Sequence, residues 1–205
     1  MDKSIVLNKI INKFKYVSYL EIGVSCGHLF SKINCKRKVG VDPYKNFANL
    51  TYKMISDDFF LINKEKFDIV FIDGLHHCEQ VDKDFENSLK ILQKKGLILF
   101  HDCNPTCKEH QGRNPIVTEW TGDCWKSFVK IRQNYNVETF VIDTDWGIGV
   151  FNPSIITDNK LSLNIDLSYE NFNINKKNWL NLKTINEFEE WLVKNVGFHR
   201  TPFIF

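Results

Sequence analysis

Four short apolar runs, YLEI, KVGV, FDIVFI and LILF, each contain or lead into an acid: Glu21, Asp42, Asp73 and Asp102. FDIVFI is continuous and rich in branched residues, the composition of a strand covered on both faces. Segments of helical period separate these runs. Val6, Leu7, Ile10, Ile11 and Phe14 recur at helical spacing and predict a helix over 3–14. Val81, Phe85, Leu89 and Leu92 make a stripe over 79–95, with acids early and lysines late, as the helix dipole favours; Gly96 is its expected C-terminal cap. TYKMIS reads as a short strand and 123–134 as a helix. NVETFVID and WGIGVF predict two late strands joined by a tight Thr-Asp turn, hence antiparallel. Strands alternating with helices build parallel βαβ units, so the chain is α/β with a mostly parallel sheet and a closing hairpin.

The chain of 205 residues suits one domain. The expected division is a main domain over 1–152 and an extension over 153–205. The extension is strand-poor at 154–170 and helical at 184–195, where Thr184 and Glu187 form a capping box. The net charge of +2 is too small to argue for nucleic acid or a membrane surface. No apolar run reaches the roughly 18–20 residues of a membrane helix. The N-terminus does not read as a signal peptide, and the six cysteines include no CxxC, so reduced thiols and a cytoplasmic location are expected.

Ligands bind at the carboxyl ends of parallel strands. There, Gly23 and Gly27 offer a tight turn and a close backbone approach. Asp42 follows Gly23 by 19 residues, where an acid can accept both hydroxyls of a ribose. The frame lacks the GxGxxG of dinucleotide sites, which disfavours an NAD-dependent oxidoreductase. Glu21, ahead of the turn, would repel a pyrophosphate and suits a cationic ligand.

The EIGVSCG motif resembles the (E/D)xGxGxG motif of class I S-adenosylmethionine-dependent methyltransferases, with Ser25 at the middle glycine. SDDFF, FDIVFIDGLHHCEQV, GLILFHDCNP, TGDCWKSFVKIR and DTDWGIGVF continue the resemblance over roughly 15–151, toward bacterial sugar and natural-product O-methyltransferases. The resemblance implies a Rossmann-like seven-stranded sheet. It places Glu21 near the methionine amino group, Asp42 on the ribose and Asp57 beside the adenine, although Asp57 also reads as a helix N-cap. It implies methyl transfer to oxygen on a small polar acceptor, first a sugar or sugar nucleotide of surface-glycan biosynthesis. An N-methyltransferase, a metal-dependent O-methyltransferase and an inactive cofactor-binding partner protein stay open, as does a homo-oligomer.

An alcohol acceptor must lose a proton, and His76, His101 and His110 lie at the strand ends or on the long loop after them. His110 is the one expected to face the methyl group. Asp73 and Asp102 should share one crevice, where relatives hold a divalent ion such as Mg2+; His76, His101 and Asn104 all qualify as third ligand. Cys103, Cys107 and His110 echo a metal-cluster spacing but read better as small buried or loop residues. Trp120, Trp125 and Trp146 could form a wall of the acceptor site.

Overall fold

The computed structural model describes residues 1–44, 49–115, 117–162 and 166–195; part of the expected extension, 163–165 and 196–205, lies outside them. Its elements are α1 (Lys3–Phe14), β1 (Ser18–Ile22), α2 (His28–Lys32), β2 (Arg37–Asp42), β3 (Tyr52–Lys53), α3 (Ser56–Ile62), β4 (Phe67–Ile72) and α4 (Cys78–Ile91). Then follow β5 (Leu92–Phe100), α5 (Cys124–Asn134), β6 (Val137–Ile142), β7 (Ile148–Ile156), α6 (Tyr169–Trp179), β8 (Leu182–Lys183) and α7 (Ile185–Lys194). They form one sheet of order β3-β2-β1-β4-β5-β7-β6-β8. β7 runs antiparallel to β5 and β6; every other pairing is parallel.

The side-chain period of two sorts each central strand between two cores. Leu20, Val70, Ile72, Ile98 and Phe100 face Phe59, Phe85 and Phe128 of α3, α4 and α5. Tyr19, Ile69, Phe71, Leu97 and Leu99 face α1 and α7 through Ile10, Phe188 and Trp191. β1 and β4 are buried along their whole length, and α1 buries the five apolar residues its spacing predicted. α7 carries the expected capping box.

Four expectations change. Among the described residues the sheet has eight strands, because β8 of the extension pairs with β6. α4 stops at Ile91, and Gly96 lies inside β5, where a Cβ would sit 2.7 Å from the Asp68 carbonyl oxygen. Strand pairing across the bulge between Phe67 and Ile69 claims the residues that the helical stripe suggested. The β6–β7 connection spans 143–147 rather than a two-residue turn, with Asp145, Trp146 and Gly147 all at positive φ. β7 runs to Ile156, past the expected domain boundary at 152.

Arg132 ties the extension to the sheet. It is 1% exposed and donates to the carbonyls of Asn159, Asn178 and Trp179, two of them at the end of α6. Burial pulls its pKa down to about 10, so it stays charged at neutral pH. Its partners are carbonyl oxygens whose dipoles converge on the guanidinium. Arg132→Met removes the charged donor that these carbonyls share, the one at Trp179 being buried, and is expected to cost about 3 kcal/mol in denaturant unfolding.

Candidate functional site

The strand order reverses between β1 and β4, the place where an open parallel sheet forms its ligand crevice. The chain leaves β1 through Gly23 at φ +87° and crosses the end of β4; a Cβ there would lie 2.0 Å from the Asp73 carbonyl oxygen. Ser25 takes φ +50°, the left-handed conformation that a glycine adopts freely. Its N–H donates to Asp42 Oδ2 (2.8 Å), and the Tyr44 N–H to Asp42 Oδ1 (2.8 Å). Each oxygen keeps accepting capacity for a hydroxyl.

Two cavities meet at this point. The first, about 540 Å³, lies over β2 and α3, with apolar walls from Met54, Ile55 and Leu75 and polar groups from Asp42 and Asp57. The second, about 510 Å³, is lined by Glu21, Lys3, His101, Asp102, Trp120 and Trp146, among others. Gly23, Ser25, Asp73 and His76 line both.

Glu21 is 1% exposed and takes a hydrogen bond from the Tyr19 hydroxyl (2.5 Å). Burial raises its pKa to about 8, Asp73 adds to the rise, and Tyr19 opposes it. Among the described residues Glu21 forms no ion pair, the charges of Lys3 and Lys38 acting on it only from a distance, and the cavity it faces is where a ligand ammonium would supply a direct partner.

Asp73, His76, His101, Asp102 and Asp145 form one network with Lys3. Lys3 Nζ lies 2.8 Å from Asp73 Oδ2, and His101 Nδ1 lies 3.1 Å from both Asp73 Oδ1 and Asp102 Oδ2. His76 Nε2 is 3.6 Å from Asp73 Oδ1, and its Nδ1 is 3.3 Å from Asp102 Oδ2. Burial works against charge on Asp73, but His101, His76 and Lys3 outweigh it and hold its pKa well below the usual range. Burial likewise opposes charge on His101, yet Asp73, Asp102 and Asp145 raise it well above an ordinary imidazole. His76 is raised against burial by Asp73 and Asp102. Asp102 sits at φ +59°, one of several strained residues at this rim.

Asp73 and Asp102 do share a crevice, and the nearest third ligand is His76: one donor atom from each lies within 4.8 Å of the others. Asp102 Oδ2 is buried and, among the described residues, has no hydrogen-bond partner, although the His76 and His101 rings lie 3.3 and 3.1 Å away. Mg2+ nevertheless fits poorly. It demands oxygen donors in octahedral array, and the third donor here is imidazole. Lys3 and His101 already cover both Asp73 oxygens. An ammonium about 4 Å from a cation costs about 4 kcal/mol per unit charge at an effective dielectric of 20.

Three expectations about site residues change. His110 lines neither cavity; it packs edge-on against Trp146 (5.0 Å between centroids) with Nδ1 beside Thr106 Oγ1 (3.1 Å). Its backbone carbonyl holds the loop instead, accepting from the Thr121 and Gly122 N–H groups. Trp125 is fully buried against Phe172, so only Trp120 and Trp146 of the three tryptophans face the crevice. Asp57 is not an N-cap; it lies in the first turn of α3 and accepts from Gln80 Nε2 (2.8 Å). Among the described residues, no metal-ligand group includes Cys103, Cys107 and His110. Lys3 and Asp145 carried no signal in the sequence, since one starts a helix and the other looked like a turn residue.

A family model described as a methyltransferase domain matches residues 20–103. The chain is similar in fold to the O-methyltransferase from Bacillus cereus solved with S-adenosylhomocysteine (15% identity, TM-score 0.53, covering 73% of this chain and 80% of that one). It is similar to TomG from Streptomyces achromogenes, an O-methyltransferase of tomaymycin synthesis solved with S-adenosylmethionine (14%, 0.54, 76% and 79%). A putative O-methyltransferase from Klebsiella pneumoniae aligns equally well (12%, 0.56, 76% and 80%). No curated protein matches. Among the described residues, no helix is long and apolar enough to cross a membrane.

Proposed function

We propose that the chain transfers a methyl group from S-adenosylmethionine to a hydroxyl oxygen of a small polar acceptor, with a sugar or sugar nucleotide of surface-glycan biosynthesis as the leading class. The observation that carries this reading is the pair of cavities joined at Gly23, Ser25, Asp73 and His76. The first suits an adenosine: Asp42 for the ribose, and Asp57, Met54 and Leu75 around the base. Gly23, which tolerates no Cβ, and Glu21, which forms no ion pair among the described residues, fit the amino acid portion. The second cavity takes the acceptor, with Trp120 and Trp146 offering faces for sugar C–H groups.

The cofactor supplies an electrophilic methyl on a good leaving group. The protein's part is alignment and removal of one proton. His76 is the base. Its Nδ1 lies 3.3 Å from the Trp120 carbonyl, which can only accept, so Nδ1 keeps a proton there and Nε2 receives the acceptor's. Stacking on Trp120 (4.9 Å, 23°) holds the ring. His101, wedged between three carboxylates, serves as a fixed cation.

Binding should report Glu21 directly. At pH 7 its carboxyl is protonated, being below a pKa of about 8. A ligand ammonium pulls that pKa down, so cofactor binding is expected to release close to one proton. Calorimetry in buffers of different ionisation enthalpy measures it; release should vanish in Glu21→Gln and above about pH 9.

The reaction is tested with methyl-labelled cofactor and a panel of sugars and sugar nucleotides. Label on an acceptor hydroxyl is the expected result. Failure to bind S-adenosylmethionine would overturn the cofactor reading. Binding with transfer only to non-sugar acceptors would overturn the sugar class alone.

A further inference from the structure

We propose that the Lys3 ammonium stands where a divalent cation would otherwise sit, as the fixed positive charge beside the reacting oxygen, and that methyl transfer here needs no metal. This rests on the functional reading above, and its test separates the two.

The geometry is specific. Lys3 opens α1, whose Val6, Leu7, Ile10 and Ile11 are buried against the sheet. The Lys3 backbone N–H donates to Asp145 Oδ2 (2.6 Å), and Asp2 caps the helix at the Ser4 N–H. The root of the side chain is thus fixed from two directions. The chain then reaches Asp73 Oδ2 at 2.8 Å with its side chain 25% exposed, and it lines the second cavity together with His76, His101 and Asp102. An ammonium has three N–H donors. Among the described residues Asp73 is its one hydrogen-bonded acceptor, which leaves two donors for the acceptor's oxygen.

Asp73, His76 and Asp102 bring donor atoms close enough for an ion. A cation bound through Asp73 Oδ2 would have to displace Lys3 from its partner. The positive charge that lowers an acceptor hydroxyl's pKa is therefore covalently part of the chain. Preorganised charge of this kind stabilises a developing alkoxide as a bound ion does, without an ion's on and off steps.

The experiment is an Mn2+ titration followed by electron paramagnetic resonance on wild type, Lys3→Met and Lys3→Arg, with thermal melting to verify folding. Wild type and Lys3→Arg are expected to show no bound Mn2+ at millimolar concentration. Lys3→Met, which keeps the length but not the charge, should bind at least about tenfold more tightly than wild type. Tight Mn2+ binding by wild type, or none by folded Lys3→Met, overturns the proposal whether or not an acceptor has been found. With an acceptor in hand, wild-type turnover should survive exhaustive chelation, Lys3→Met should lose about 100-fold in kcat, and Lys3→Arg should recover most of it. Loss of wild-type turnover to chelator also overturns the proposal. Failure of every acceptor would count against the functional reading alone, because the Mn2+ arm is independent of turnover.

Discussion

Replacing His76 with alanine is expected to lower turnover by about 10²–10⁴ while changing S-adenosylmethionine affinity by no more than a few-fold, the usual worth of a general base. Single-turnover kinetics and calorimetry on the same preparation separate the two effects. The pH profile gives a second reading. Against burial, Asp73 and Asp102 raise the His76 pKa above that of an ordinary imidazole, so the ring holds its proton to higher pH and must lose it before it can accept one. Turnover by the wild type should therefore climb as pH rises through and beyond 6.5, and then level off. A bound sulfonium would push the same pKa down, so the inflection for kcat should lie below that for kcat/KM. Full turnover by the alanine variant would remove His76 from the chemistry.

Gly23→Ala is expected to be the most damaging change at the rim. The new Cβ would sit 2.0 Å from the Asp73 carbonyl oxygen and 2.5 Å from the Gly74 Cα, both backbone atoms that cannot rotate away. The residue also holds φ +87°, which an L side chain resists. Relief requires the ends of β1 and β4 to part, and those ends carry Glu21 and Asp73. A loss of about 4 kcal/mol or more in denaturant unfolding is expected, with cofactor affinity down by more than about 100-fold if the variant folds. Gly112→Ala is the control. Its Cβ would find nothing nearer than 3.5 Å and its φ is ordinary, so its stability should be close to wild type. Equal stability of the two variants would show that the close approach of β1 and β4 is not rigid.

The sequence reading succeeded where the decisive physics is local. α1 and α7 match their expected spans closely, because apolar spacing and a capping box are properties of neighbouring residues. β1 and β4 were legible because a strand buried on both faces must be apolar throughout. It failed where distant segments compete. The stripe over 79–95 is a sound helical pattern, but Leu92, its last apolar residue, pairs with Phe67 of β4, and sheet pairing overrode the local preference. Trp125 looked like a surface for an acceptor, yet the extension brings Phe172 onto it and closes it into the core.

His110 marks the same boundary within the site. Its position on a long polar loop after β5 made it a reasonable base. The loop folds back, however, and His110 becomes a brace behind Trp146, while His76 lines both cavities.

By itself the sequence determined that this chain is α/β, that its strand-end acids and glycines gather at one rim, and that Glu21, Gly23, Asp42, Asp73 and Asp102 belong to that rim. Those conclusions follow from strand periodicity and from the rule that parallel strands open their ligand crevice at one end. Only the tertiary structure decided which histidine faces both cavities and which charge answers Asp73. Lys3 lies 70 residues from Asp73 and Asp145 lies 142 from Lys3, and no local pattern encodes either meeting. They meet because α1 packs across the sheet with its N-terminus at the crevice. The charges close enough to matter at this site are set by that packing and not by spacing along the chain.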